Sequence, residues 1–166
     1  MIVVADTSPL NYLVLLGEVE ILPKLFGHVV VPAAVRDELR SMHAPATVQA
    51  WIVSPPGWVQ IHVVSSEDLE AVSEAIDRGE REAIAAARRL GADHVLIDER
   101  TGRQVAISLG LKVTGTLGLL GRADELGLIS DLPGIIRRLI EETNFRAHPG
   151  TIERLLRRNA PRKREP

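Results

Sequence analysis

Residues 2–10, IVVADTSPL, decide the fold of this chain. Four apolar residues run directly into Asp6, and Thr7, Ser8 and Pro9 follow. A short apolar run without polar alternation is typical of a strand buried on both faces, as in a parallel sheet. A carboxylate at the end of such a strand either caps the following helix or belongs to a site at that edge of the sheet. Both interpretations of Asp6 stay open when the residue is considered alone.

The same pattern recurs along the chain, with apolar runs separated by helical segments. Further strands are predicted at residues 28–31, 58–64, 95–97 and 111–113. Helices are predicted at residues 11–16, 19–26, 33–42, 80–90, 101–109, 116–126 and 132–142, with another that starts near Ser66. Strands without polar alternation that are separated by helices predict an α/β fold with a central, mostly parallel sheet covered on both faces.

Composition excludes several classes of protein. The chain has 166 residues, 45% of them apolar, and no cysteine. It is therefore expected to fold around a core, and disulfide scaffolds, thiolate zinc sites and cysteine nucleophiles are excluded. No apolar run is long enough to span a membrane and no basic segment precedes the first strand, so a cytoplasmic protein is expected.

Charge is distributed unevenly along the chain. Residues 1–150 hold 14 basic and 20 acidic residues, whereas residues 151–166 hold six basic and two acidic ones. The sequence predicts one α/β domain over residues 1–145 and a basic, partly helical tail over residues 146–166.

Four acidic residues are predicted to lie at one edge of the sheet. Asp6 and Asp98 each end an apolar strand, Glu38 lies in the helix after the second strand, and Glu82 lies in the first turn of the helix GEREAIAAARRL. Glu80, two residues before Glu82, is expected to point elsewhere, because residues two apart do not share a helix face. Each acid alone could instead be a helix cap or a solvated helix charge.

Clustered carboxylates repel one another, and a divalent cation removes that repulsion. Sites made only of carboxylates, without His or Cys, suit Mg²⁺ or Mn²⁺. The five histidines are scattered without the spacing of a zinc site or a catalytic triad. The chemistry that fits is metal-assisted hydrolysis of a phosphodiester bond.

The segments ADTSPL, VRDEL, GEREAIAAA and LIDERTGRQVA, in this order, resemble the PIN-domain superfamily, over roughly residues 1–130. The TGTLGLL segment at residues 114–120 resembles one PIN-like branch of it. The resemblance implies a three-layer α/β/α sandwich and a metal-dependent endoribonuclease that cleaves RNA. Because the superfamily includes toxins of toxin–antitoxin pairs, it also implies a small antitoxin partner and a homodimer.

The resemblance also implies roles for individual residues. The metal ligands and catalytic acids would be Asp6, Glu38, Glu82 and Asp98, with a further acid at Glu99 or, less well aligned, Asp93. No Asp follows at Thr101 or Gly102, which leaves the second metal open. Thr7 or Ser8 would supply a neighbouring hydroxyl.

Several other residues are candidates for substrate contacts, each with an alternative. Thr114 and Thr116 either flank a phosphate site at a helix start or cap that helix. Arg100 and Arg103 either contact phosphates or pair with surface acids. The basic tail either binds phosphates, is a solvated end, or forms a dimer contact. Only five aromatic residues are present, so stacking platforms for RNA are scarce.

Two other function classes compete with a ribonuclease. One is a PIN fold without catalysis that binds RNA or protein. The other is a receiver-like signalling domain with a phosphate-accepting aspartate, although such domains usually carry adjacent acids where Thr7 and Ser8 stand here.

Overall fold

The computed structural model describes residues 1–161 and contains a five-stranded sheet in which every strand pairing is parallel. The strand order is β3-β2-β1-β4-β5. The strands are β1 (Val3–Ala5), β2 (Val29–Pro32), β3 (Val59–His62), β4 (His94–Leu96) and β5 (Val113–Thr114). The prediction of an α/β fold with a parallel sheet is confirmed, and each apolar run produced its strand.

Strand β1 lies at the centre of the sheet, between β2 and β4. Its three residues have no exposed surface, because neighbouring strands cover its edges and helices cover both faces. Val4 pairs with Val30 on one side and Val95 on the other. The chain leaves β1 at Asp6, whose amide donates to Leu96 O at 3.0 Å. The ends of β1 and β4, and with them Asp6 and Asp98, are therefore neighbours.

Two compact units make up the chain, and the first, Met1–Thr116, contains the whole sheet. Together with the sheet, its helices form the three-layer α/β/α arrangement of PIN-like folds. These helices are α1 (Thr7–Leu16), α2 (Ile21–Phe26), α3 (Ala33–Arg40), α4 (Ala46–Val53), α5 (Ser66–Glu70), α6 (Arg78–Leu90) and α7 (Arg100–Ser108).

Two helices differ from the prediction. Helix α1 begins at Thr7, four residues earlier than expected, because Pro9 lies in its first turn, where a proline costs no hydrogen bond. Helix α4 was not predicted at all. Only Val48 and Ile52 of α4 are buried, one turn apart, while its other apolar residues are partly or largely exposed, so the sequence lacks a clear helical periodicity.

The second unit begins at Leu117, one residue into α8 (Thr116–Glu125), and also contains α9 (Leu132–Glu142) and α10 (Pro149–Asn159). Asp131 caps α9 through the Gly134 amide at 2.9 Å. Asn159 of α10 donates to Gly121 O at 2.8 Å and to Asp124 Oδ2 at 3.0 Å, which ties α10 to α8.

The helix expected in the tail, over the segment TIERLLRRN that starts at Thr151, is present and begins two residues earlier, at Pro149. Three of the predicted basic tail residues, Arg162, Lys163 and Arg164, lie outside the described residues. The boundary between residues 145 and 146 stays a prediction. Across residues 1–161, none of the helices has the length and apolar character that crossing a membrane requires.

Candidate active site

Asp6 is buried at the end of β1 and lacks the hydrogen bonds of a helix cap. It occupies the N-cap position of α1, but its side chain accepts no capping hydrogen bond. Only 3% of its surface is exposed, and its Oδ1 atom has no hydrogen-bond partner. Burial raises the pKa of Asp6 well above its usual value, the Thr7 amide opposes the rise, and the charges of Asp77, Glu80 and Glu38 add to it. The structure therefore disfavours the interpretation of Asp6 as only a helix cap.

Glu38 projects from α3 and joins the starts of two other helices. Its Oε2 atom accepts a hydrogen bond from the Thr7 hydroxyl at the start of α1. Its Oε1 atom accepts from the Gly79 amide at 3.1 Å, at the start of α6. Burial raises the pKa of Glu38, and the Thr7 hydroxyl partly opposes the rise. Glu38 is thus held by the site, and it is not a solvated helix charge.

Glu80 forms an acidic cluster with Asp6 and Glu38, although the sequence predicted that its side chain would point elsewhere. Its amide donates to Asp77 Oδ1 at 2.8 Å, and its Oε2 atom accepts from the Asp77 amide at 3.4 Å, which together form a capping box at the start of α6. Its Oε1 atom is buried and has no partner. Burial and the nearby charges of Asp77, Glu99 and Glu38 raise the pKa of Glu80 to about 7.

The expectation that Glu82 would join this cluster is not supported by where the structure places it. Its Oε2 atom accepts from the Ala34 amide at 2.9 Å, and its Oε1 atom lies 3.3 Å from Arg78 Nε. The carboxylates whose charges raise the pKa of Asp6 are Asp77, Glu80 and Glu38. Glu82 serves as an acceptor for the first turn of α3, an end that has no side-chain cap of its own.

The opposite directions of Glu80 and Glu82 follow from their two-residue separation on one helix. The sequence predicts Glu82 for the site and Glu80 for another direction, whereas in the structure Glu80 is the one that lies near Asp6 and Glu38. A signal was present, because Asp77 and Glu80 have the spacing of a capping box, which turns the Glu80 side chain back toward the helix start.

Asp98 follows β4 and is held by the first residue of α8. Its Oδ1 atom accepts from the Thr116 amide at 2.7 Å, and its Oδ2 atom accepts from the Thr116 hydroxyl at 2.6 Å. Burial raises the pKa of Asp98, while these two hydrogen bonds and the Arg103 charge lower it. Thr116 is fully buried, and its hydroxyl donates to Asp98.

The remaining predicted residues lie at the edge of the cluster or away from it. Glu99 is exposed at the N-cap of α7, where its charge acts on Glu80. Arg100 is exposed beside it. Thr114 lies 3.2 Å from His94 Nδ1, a histidine at the far end of β4 from Asp98. Asp93 accepts from the Ile2 amide at 2.7 Å, also at that far end.

Ser8 and Arg103 complete the predicted set. Ser8 is partly buried in the first turn of α1. Arg103 donates from Nη1 to Ile97 O at 2.9 Å, the carbonyl directly before Asp98. Arg103 therefore braces the strand end that carries an acid and is not an exposed surface charge.

The chemistry of this cluster fits a divalent cation. Its donors are carboxylate oxygens, which hard cations such as Mg²⁺ prefer. Two of them, Asp6 Oδ1 and Glu80 Oε1, are buried without any partner, although buried polar atoms are normally paired. Within residues 1–161, no three His, Asp or Glu side chains are grouped so that they could hold an ion as they stand. The fit therefore rests on the donor chemistry and on the two unpartnered oxygens.

Comparison with known proteins adds a family. Residues 2–160 match the model of the family DUF3368, described as a PIN domain. No curated protein matches the chain significantly. The family match covers almost all of the chain, including every acid of the cluster.

Proposed function

The chain belongs to the DUF3368 family of PIN domains, and on that premise we propose that it is a metal-dependent endoribonuclease that hydrolyses RNA phosphodiester bonds. PIN domains are generally nucleases. The observation that carries the proposal is the pair of buried carboxylates, Asp6 and Glu80, each with an oxygen that has no partner. Such groups are costly in a folded protein unless a ligand uses them.

We assign metal binding to Asp6, Glu38, Glu80 and Asp98, and we leave Glu82 out. Glu99, whose charge acts on Glu80, is a further candidate ligand. The proposed ion is Mg²⁺ or Mn²⁺, which when bound activates a water and offsets the charge that develops on the phosphate.

The protein's own contribution is to hold the acids in place. Thr7 and Gly79 fix the two oxygens of Glu38, and Thr116 fixes both oxygens of Asp98. Arg100 is exposed at the first residue of α7, close in sequence to Asp98, and we propose that it contacts substrate phosphates. For Ser8 and Thr114 the contacts support no direct role.

The family resemblance supports a finer proposal, that the chain is the toxin of a toxin–antitoxin pair and forms a homodimer. In that case a small antitoxin would cover the acidic cluster with a basic side chain. A short neighbouring reading frame that encodes a DNA-binding protein would support the pairing, and co-expression that suppresses toxicity would test it.

The decisive experiment compares RNA cleavage by the purified full chain with and without Mg²⁺ or Mn²⁺. Cleavage is expected to need the ion and to disappear in both Asp6→Asn and Glu80→Gln, while Glu82→Gln retains it. Cleavage that persists in Asp6→Asn would overturn the proposal. Metal binding without any cleavage would instead favour a binding module, and phosphate uptake from a small phosphodonor would favour the receiver-like alternative.

A further inference from the structure

Three glycines at or next to the starts of helices lie against three of the carboxylates proposed to bind the metal. Gly79 is the second residue of α6, Gly102 is the third residue of α7, and Gly115 directly precedes α8. A Cβ atom at Gly79 would lie 2.5 Å from Glu38 Oε1, one at Gly102 would lie 2.6 Å from Glu80 Oε1, and one at Gly115 would lie 2.9 Å from Asp98 Oδ1. Real Cβ atoms essentially never come this close to another heavy atom.

The backbone does not explain why these positions are glycine. Positive φ values, which favour glycine, occur at other positions, namely Gly17, Gly27, Gly91, Gly110 and Gly127. Glycine within a helix, as at Gly79 and Gly102, also weakens the helix relative to alanine. At all three positions a carboxylate lies in the space of the missing side chain, and at Gly115 Arg103 Nη1 lies there as well, at 2.8 Å.

Each of the three carboxylates comes from another segment of the chain. Gly134 shows that a glycine can also make room for a carboxylate locally, since its neighbour Asp131 is the cap of the same helix. At Gly79, by contrast, the carboxylate belongs to Glu38 of α3. At Gly102 it belongs to Glu80 of α6, a helix that ends before β4 begins.

We propose that Gly79, Gly102 and Gly115 are positioning residues, which seat Glu38, Glu80 and Asp98 against the backbone so that these acids can share one cation. This inference rests on the proposed function for its purpose, although the seating itself is a property of the metal-free protein. A methyl group at any of the three positions would displace the neighbouring carboxylate from the place that it occupies.

Gly102 gives the sharpest test because Glu80 Oε1 has no hydrogen bond that could hold it in place. The other close neighbour of the missing Cβ is Ile97 Cγ2 at 3.2 Å. The atoms that must move in Gly102→Ala are mainly the flexible end of the Glu80 side chain, so the protein should fold normally. A displaced carboxylate in a normally folded protein is the signature that distinguishes positioning from a general loss of structure.

The experiment compares wild type with Gly102→Ala, using Gly57→Ala as the matched control. Gly57 has no atom within 4 Å of its missing Cβ and no positive φ. In the metal-free full chain, the ¹³C carboxyl resonance of Glu80, assigned by its loss in Glu80→Gln, is expected to shift in Gly102→Ala and to stay in place in Gly57→Ala. Mn²⁺ affinity, measured by calorimetry, is expected to fall about tenfold or more in Gly102→Ala and to be unchanged in the control.

A double variant tests whether the lost Mn²⁺ affinity can be restored. In Gly102→Ala/Glu80→Asp the acid is one methylene shorter, which leaves room for the methyl group, so part of the Mn²⁺ affinity should return. Melting temperatures of all variants check the fold.

The outcomes separate this inference from the proposed function. If wild type binds Mn²⁺ and Gly102→Ala binds it equally well with an unmoved Glu80 resonance, the positioning role is wrong and the proposed function stands. If wild type binds no Mn²⁺ and cleaves no RNA, the proposed function fails, and the carboxyl resonance alone still decides whether Gly102 seats Glu80. A Gly102→Ala chain that does not fold contradicts the inference, because more than a side-chain end would then have to move.

Discussion

Thr116 shows how a single residue can set the charge of an acid in the cluster. It donates to both oxygens of Asp98, through its amide and its hydroxyl. Both hydrogen bonds lower the pKa of Asp98, which burial has raised. They therefore favour the ionised carboxylate that a metal site requires.

Thr116→Val should move the pH dependence of cleavage. Loss of the hydroxyl removes one of the interactions that lower the pKa of Asp98, so this acid ionises at higher pH than in wild type. The acidic limb of the rate profile, measured under single-turnover conditions from about pH 5 to pH 8, should shift upward. Thr116→Ser keeps the hydroxyl and should keep the wild-type profile. Identical profiles for Val and Ser would show that the hydroxyl does not act on Asp98.

At the scale of elements, the first turns of the helices organise the site. Helix α6 receives Glu38 at the Gly79 amide, and it directs Glu80 into the cluster through the capping box with Asp77. The same helix sends Glu82 to the amide of Ala34 at the start of α3. The start of α6 thus carries Glu80 and also contacts the start of α3, the helix that carries Glu38.

Glu82→Ala should lower the free energy of unfolding by about 1 kcal/mol and leave Mn²⁺ binding unchanged. The loss arises because the Ala34 amide of α3 loses its acceptor, and Pro32 at the N-cap supplies no side-chain replacement. Urea unfolding, followed by the fluorescence of Trp51 and Trp58, measures it.

Arg78→Ala is the control for the stability change, since it removes the ion pair between the 72%-exposed Arg78 side chain and Glu82 but leaves the hydrogen bond from the Ala34 amide in place. It also removes a charge that acts on Glu38, so it is not a control for Mn²⁺ binding. Exposed pairs contribute less than about 1 kcal/mol, so the control should cost less than Glu82→Ala. A loss of Mn²⁺ binding in Glu82→Ala with an intact fold would return Glu82 to the metal site.

At the scale of the whole molecule, the acidic cluster links stability to pH. Burial and neighbouring charges raise the pKa of Glu80 from 4.5 to about 7 in the folded protein, and the pKa values of Asp6, Glu38 and Asp98 are raised as well. Between the two Glu80 values, the folded chain holds more protons than the unfolded chain. The stability that the protonated Glu80 contributes is therefore present below about pH 4.5 and is lost as the pH rises through about 7.

Glu80→Gln should flatten this dependence. Without added metal, the free energy of unfolding of wild type should fall between pH 5 and pH 7.5 by more than that of Glu80→Gln, because the variant has no carboxylate to ionise at this position. Urea titrations at both pH values measure the difference. At pH 7.5, Mn²⁺ should raise the melting temperature of wild type more than that of the variant. Equal slopes for the two proteins would show that Glu80 titrates normally in the folded chain.

Much of the fold could be predicted from local pattern. Each of the five predicted runs forms a strand. The signal is clearest for the three inner strands β1, β2 and β4, whose mostly buried residues form unbroken apolar runs. Helix α4 could not be predicted, because only Val48 and Ile52 are buried and its other apolar side chains stay partly or largely exposed. Where a helix gains its stability from tertiary contacts, its own sequence carries a weak signal.

The candidate site, like the fold, could be predicted only in part. The sequence by itself determined that acids follow β1 and β4 and that an acid lies in the helix after β2, since these are properties of position along the chain. Only the tertiary structure decided which neighbours Glu80 and Glu82 meet, because both lie near the start of α6 and their side chains point in different directions. Glu82 meets an amide and an arginine that satisfy it, whereas Glu80 meets other acids and the space left by Gly102, where one of its oxygens has no partner.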